Sequence, residues 1–124
     1  MNLSASFTVK DVRASLAWYR DVLGFDVARE FEREGKLRAA SMNADGARIL
    51  LSQDDGSKGA DRAKGEGMSL MLETTANVDE MAARVKALGV TLDSEPFDSF
   101  GRRAFRLRDP DGFRLTISSE PSGG

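Results

Sequence analysis

The chain contains no cysteine and no histidine, and these two absences exclude more chemistry than any residue present. Without cysteine there is no thiolate nucleophile, no thiolate metal site and no disulfide framework. Without histidine, the commonest general base and the commonest ligand for zinc, nickel or ferrous iron are both missing. An excess of charge of one sign is also lacking: 18 Lys+Arg stand against 20 Asp+Glu, a net of −2, with the signs interspersed. Proteins that neutralise nucleic-acid phosphates carry a basic excess or stripe, so no nucleic-acid partner is expected. No apolar run approaches the ~20 residues that span a bilayer, and MNLSASFTVKD lacks the basic and long apolar regions of a secretory signal. The expectation is a soluble, cytoplasmic protein with no membrane partner.

What is present is a pattern written twice. With 124 residues there is length for one small domain or two half-domains sharing a core. Residues 3–9 read as a strand, and residues 12–23 as a helix with Asp11 as N-cap and Gly24 as stop. Strands are predicted at 25–34, 37–43 and 47–53, with Asp45-Gly46 as a hairpin signal between the last two. The order then recurs: a strand at 67–74, an amphipathic helix at 78–88 ended by Gly89, and strands at 90–97, 102–108 and 113–119. Asp109-Pro110-Asp111-Gly112, joining the last pair, suits a type I turn. The punctuation keeps register: the interval from Val12 to Val78 equals that from Asp45-Gly46 to Asp111-Gly112, and the interval from Gly24 to Gly89 is a single position shorter. Internal duplication explains this spacing. The predicted organisation is a βαβββ module at 1–53, a polar, Gly-rich linker at 54–66, a second module at 67–119 and a frayed tail at 120–124.

Two tandem modules of this kind, with DVRASLAWYRDVLGF at 11–25 and DPDG before the last strand, resemble the vicinal oxygen chelate superfamily of glyoxalases, extradiol dioxygenases and bleomycin-resistance proteins. The resemblance covers essentially the whole chain and implies an α+β fold whose two modules form a curved mixed sheet around a cleft. It also implies where a metal would be held. The first-strand histidine of that family falls on Ser4, the last-strand ligand of the first module on or next to Leu50, the second histidine near Met68, and the closing glutamate, in the strand after Gly112, on Thr116. None is a competent ligand for a divalent transition metal. No metal and no cofactor are therefore expected: extradiol dioxygenase activity through two His and a carboxylate is excluded by composition, metal-dependent glyoxalase activity is not expected, and an all-oxygen site built from Asp or Glu at other positions is the one remaining route to a metal.

Strand alternation extends the list of cleft residues. If Ser4, Leu50, Met68 and Thr116 face the cleft, then Ser6, Arg48, Ser52, Leu70, Arg114 and Ser118 join them, and Phe7, Val9, Ile49, Leu51, Met71, Phe113, Leu115 and Ile117 face the helices. Such a lining of apolar floor, hydroxyls and two arginines suits a moderately polar organic molecule. Arg48 and Arg114, at equivalent repeat positions, are candidates to hold an acidic group. Trp18 and Tyr19 read as core, REFERE at 29–34 as a solvated edge strand, and Phe97 and Phe100 as either a gate or a cover for the core.

Three functions compete at this level. The leading one is a metal-free binding protein that encloses a small organic molecule, for sequestration or resistance, as a homodimer. A metal-independent lyase or isomerase using the same cleft is the second. The third is a protein-interaction module with a vestigial cleft. No catalytic residue is assigned.

Overall fold

In the computed structural model, which describes residues 3–57 and 67–120, two helices and eight strands follow one another as βαβββ twice. The first unit holds β1 (Ala5–Val9), α1 (Val12–Leu23), β2 (Asp26–Arg33), β3 (Lys36–Ala44) and β4 (Ala47–Gln53). The second holds β5 (Leu70–Thr74), α2 (Val78–Ala87), β6 (Leu92–Ser99), β7 (Arg102–Arg108) and β8 (Arg114–Ser119). The chain divides into two compact units, residues 1–63 and 64–124. Each unit has its own four-stranded mixed sheet, ordered β1-β4-β3-β2 and β5-β8-β7-β6. The parallel pairs are β1 with β4 and β5 with β8. Most of the predicted linker and tail, residues 58–66 and 121–124, lie outside the described residues.

Local chemistry accounts for the helix limits. Asp11 is the N-cap of α1, its carboxylate accepting from the backbone N–H of Arg13 and Ala14 at 3.1 and 3.2 Å. Gly24 ends the helix in the left-handed conformation, at φ 76°. The Gln53 side chain accepts from the backbone N–H of Val12 at 3.0 Å, so the end of β4 satisfies a donor at the start of α1. In the second unit Asn77 caps α2 by accepting from the Glu80 N–H at 3.0 Å. The turn before β8 has the predicted backbone bond, Gly112 N–H to the Asp109 carbonyl at 3.0 Å. The buried Asp109 carboxylate adds bonds from the N–H groups of Asp111 and Phe113, both at 2.9 Å.

One face of each sheet packs against its own helix. In the first unit Phe7, Val9, Ile49, Leu51, Ala40 and Met42 are buried with Val12, Leu16 and Tyr19. Tyr19 is completely enclosed, edge-on to Trp18 and Phe25 at centroid separations of 5.0 and 5.7 Å. The second core is built from Phe105, Leu107, Leu115 and Ile117 against Val78, Ala82 and Val85. The helix-facing assignments of Phe7, Val9, Ile49, Leu51, Leu115 and Ile117 hold. That of Met71 does not, since its side chain is 71% exposed.

The helix-free faces as the candidate functional site

Because side chains alternate across a strand, the residues between the buried ones form the opposite face of each sheet. Pairing register orders them into rows. In the first unit one row runs Ser6, Leu50, Ser41, Arg29 and the next Thr8, Ser52, Ala39, Phe31. In the second unit the rows are Met71, Thr116, Arg106, Ser94 and Glu73, Ser118, Ala104, Phe97. Ser4 precedes β1 and is exposed. Arg48 and Arg114 are also exposed, each on the helix-free side of its own sheet by alternation with Leu50 and Thr116. Ser6 is exposed and Leu50 and Ser52 are half-buried, whereas Thr116 and Ser118 are buried.

In the first module Ser6, Leu50 and Ser52 thus share the helix-free face. In the second, the expected register is shifted by a single position along β5. Leu70 pairs with the core residue Leu115, which puts it on the helix side, and Met71 pairs with Thr116. Met68 lies before the strand, half exposed, just after Gly67 at φ 76°. The residue that stands beside Thr116 at the start of the strand is Ser69, whose hydroxyl lies 3.3 Å from the Thr116 hydroxyl. The cause of the slip lies in the repeat itself. Phe7 pairs with Leu51 and Leu72 with Ile117, yet the interval from Phe7 to Leu72 is a single position shorter than that from Leu51 to Ile117.

Two further arginines of these faces, Arg29 and Arg106, lie outside the expected cleft set. The Arg106 guanidinium carbon lies 4.9 Å from the ring centroid of Phe97, and that of Arg29 lies 4.8 Å from the ring of Phe31. Phe31 and Phe97 occupy the same repeat position, so each unit sets an arginine over an equivalent phenylalanine, from β2 itself in the first and from the neighbouring β7 in the second. Phe97 is half-buried on this face, while Phe100, at the tip of the β6–β7 turn, is 99% exposed and covers no core. Beside Phe31 an open groove of about 600 Å³ is lined by Arg33, Arg38, Gln53 and Asp55 among others. The REFERE segment lies in and just beyond β2, an edge strand exposed along its whole length, as its charge alternation implied.

The donor set on these faces does not fit a divalent metal. Ser4, Leu50, Ser69 and Thr116 offer neutral hydroxyls or an aliphatic side chain. Among the described residues no group of three or more His, Cys, Asp or Glu could hold a metal ion. Two carboxyls with displaced pKa values lie elsewhere. Hydrogen bonding to Arg103 holds Asp79, on α2, below its ordinary value, and hydrogen bonding to Arg20 does the same to Asp21, on α1. Both are surface ion pairs.

Two βαβββ units in tandem, each presenting one helix-free sheet face, define the class of protein. The chain belongs to the glyoxalase/bleomycin resistance protein/dioxygenase superfamily, whose family model matches residues 3–117. Among solved structures it is similar to TioX from Micromonospora sp. ML1, at 19% identity over 96% of this chain and 98% of that one, with a TM-score of 0.79. It is also similar to TnmS3, an antibiotic binding protein from Streptomyces sp. CB03234, at 21% identity over 98% and 96% of the two chains, with a TM-score of 0.77. A lactoylglutathione lyase from Agrobacterium tumefaciens aligns over 98% of this chain and 94% of its own at 19% identity, with a TM-score of 0.69. At such identities the likeness establishes the fold alone. No curated protein matches the sequence. Among the described residues no helix is long and apolar enough to cross a membrane.

Proposed function

We propose that this protein is a metal-free, cytoplasmic, homodimeric small-molecule binding protein that encloses a moderately polar organic ligand, in a sequestration or resistance role. The observation that carries the reading is the chemistry of the helix-free faces, where hydroxyls and an apolar side chain stand in place of imidazole and carboxylate at the family's ligand positions, with guanidinium groups nearby on the same faces. Such a mixture binds by apolar contact and a few directed hydrogen bonds. It supplies no metal-activated water and no Lewis acid. The fold shared with TnmS3, described as an antibiotic binding protein, supports the same reading. The ligand-binding set proposed is Ser4, Ser6, Arg48, Leu50, Arg114 and Thr116, with Ser69 and Met71 replacing Met68 and Leu70.

Native mass spectrometry of the freshly purified chain tests the whole reading at once. The expected result is a dimer of the 13.5 kDa chain, free of transition metal and able to take up a planar or moderately polar organic compound stoichiometrically. One equivalent of zinc, nickel, manganese or iron retained through gel filtration would overturn the metal-free assignment. Turnover of a bound compound that persists in chelator would instead establish the lyase or isomerase reading.

A further inference from the structure

The helix-free face of the second unit contains a cation that none of the described residues neutralises. Five carboxylates of the second unit are engaged with other partners: Glu73 with Arg102, Asp79 and Asp98 with Arg103, Asp93 with Arg108, and Glu95 with Lys86. Arg106 has no ion pair among the described residues, and the one interaction that holds its guanidinium is with the Phe97 ring. Its register neighbours on either side carry hydroxyls, Thr116 on β8 and Ser94 on β6. Thr116 is buried, whereas Met71, next along the row, is 71% exposed. From β5 to β7 the row therefore presents an exposed thioether, a buried hydroxyl and an uncompensated guanidinium, in that order.

We infer that this row binds an aromatic acid, with its carboxylate or phenolate on Arg106 and its ring on Met71. Contact with the Phe97 ring restrains the guanidinium in advance, so less rotamer freedom is lost when its N–H groups donate to a carboxylate. The Ser94 hydroxyl can donate to the same anion without competing for it as a carboxylate would, while the Thr116 hydroxyl stays with Ser69. A thioether makes favourable contact with an aromatic edge. Two strand spacings separate Met71 from Arg106, about 10 Å, which suits a fused bicyclic acid better than a single small ring. A neutral analogue would leave the guanidinium without an anionic partner.

The inference rests on the proposed small-molecule binding function and deepens it, and the test separates the two. Full-length protein is titrated with 2-naphthoate and with its neutral isostere 2-naphthamide, followed by amide and arginine side-chain NMR. Naphthoate is expected to bind at least about tenfold more tightly, because a charge-assisted bidentate contact is lost in the amide. Shifts should centre on Met71, Thr116 and Arg106. Arg106→Gln should erase the preference while leaving the melting temperature unchanged. Arg106→Lys should retain part of it, since charge survives and stacking does not. Equal affinities for the two probes would overturn the aromatic-acid inference and leave small-molecule binding standing. The same holds if the preference survives in Arg106→Gln, or if it maps to the Arg29–Phe31 pair and falls in Arg29→Gln. If neither probe binds anywhere, both readings fall.

Discussion

The two units fill equivalent, separate cores with the bulk on opposite partners. Tyr19 on α1 and Val85 on α2 stand at the same place in their helices, counted from Val12 and Val78, and both are completely buried. Across from the helices, Ala40 on β3 and Phe105 on β7 are also equivalent, since they pair with Leu51 and Ile117 at matching positions of the last strands. At these positions the first unit has a large helix residue and a small sheet residue, and the second reverses the arrangement. A duplicated fold is held to volume and face, and the identity of each residue is free to drift as long as its counterpart compensates.

The largest effects should come from that exchange. Tyr19→Ala and Phe105→Ala are each expected to cost about 3–5 kcal/mol, and Val85→Ala distinctly less, in denaturant unfolding. Ala40→Phe alone overpacks the first core and should cost about 1–3 kcal/mol. Combined with Tyr19→Val, the pair should cost at least about 1 kcal/mol less than the sum of its parts. Simple additivity would show that the two positions do not share one volume.

The helix-free faces come next. Thr116 is buried, whereas Ser6, in the equivalent row of the first unit, is exposed. Thr116→Glu should therefore destabilise by about 1–3 kcal/mol at neutral pH, and Ser6→Glu by no more than about 0.5 kcal/mol. The buried carboxyl would have a raised pKa, so the folded state binds its proton more readily than the unfolded state and the penalty shrinks as pH falls. Melts across pH 5–8 measure this. Added zinc or manganese should leave them unmoved, because Ser4 and Ser69 supply no imidazole. A Thr116→Glu mutant as stable as its parent at every pH would place that side chain in water.

The hairpin tips sharpen the comparison on a smaller scale. Glu34-Gly35 and Phe100-Gly101 occupy matching turns, each with both residues at positive φ: 55° and 75° in one, 50° and 75° in the other. Two left-handed residues match the twist of the flanking strands, but a phenylalanine or glutamate there is disfavoured. Phe100→Asn and Glu34→Asn should each raise stability by up to about 1 kcal/mol. A loss in Phe100→Asn would mean that the fully exposed ring has a folded-state contact.

The smallest effect expected is one of pH. The Arg103 hydrogen bond lowers the folded-state pKa of Asp79 from an ordinary 3.8. Its contribution is complete above that value and is lost as pH falls through the depressed folded value. Asp79→Asn should thus flatten the acid limb of a stability profile below about pH 4. At pH 7 its effect is confined to the ion pair itself, and high salt should reduce it. An unchanged acid limb would assign acid sensitivity to other carboxyls.

The element order was legible from local signals alone. Asp11 and Gly24 bound the first helix, the apolar stripe at Val78, Ala82 and Val85 marks the second, and the Asp-Gly pairs at 45–46 and 111–112 mark the hairpins. The family, too, was legible, because these signals recur in one arrangement over nearly the whole chain. The absence of histidine and cysteine excluded the usual metal chemistry before any fold was known.

Periodicity determines which residues alternate, but an alternating strand can be read in either phase, and a shift by a single position exchanges its two faces. On β5 the apolar run Met68 to Leu72 reads equally well both ways, with serine as its one interruption, so only pairing with Leu115 and Ile117 could set Met71 beside Thr116 and turn Leu70 toward the helix. The same holds for Arg106 and Phe97. They stand in different strands, with a register shift between those strands, and meet because the sheet twists and pairs as it does. Composition and spacing determined the modules, their order and the lack of imidazole and thiolate ligands, since those depend on residue type and local sequence. Register and side-chain stacking were decided by the tertiary structure, because they depend on contacts between strands that no single segment contains.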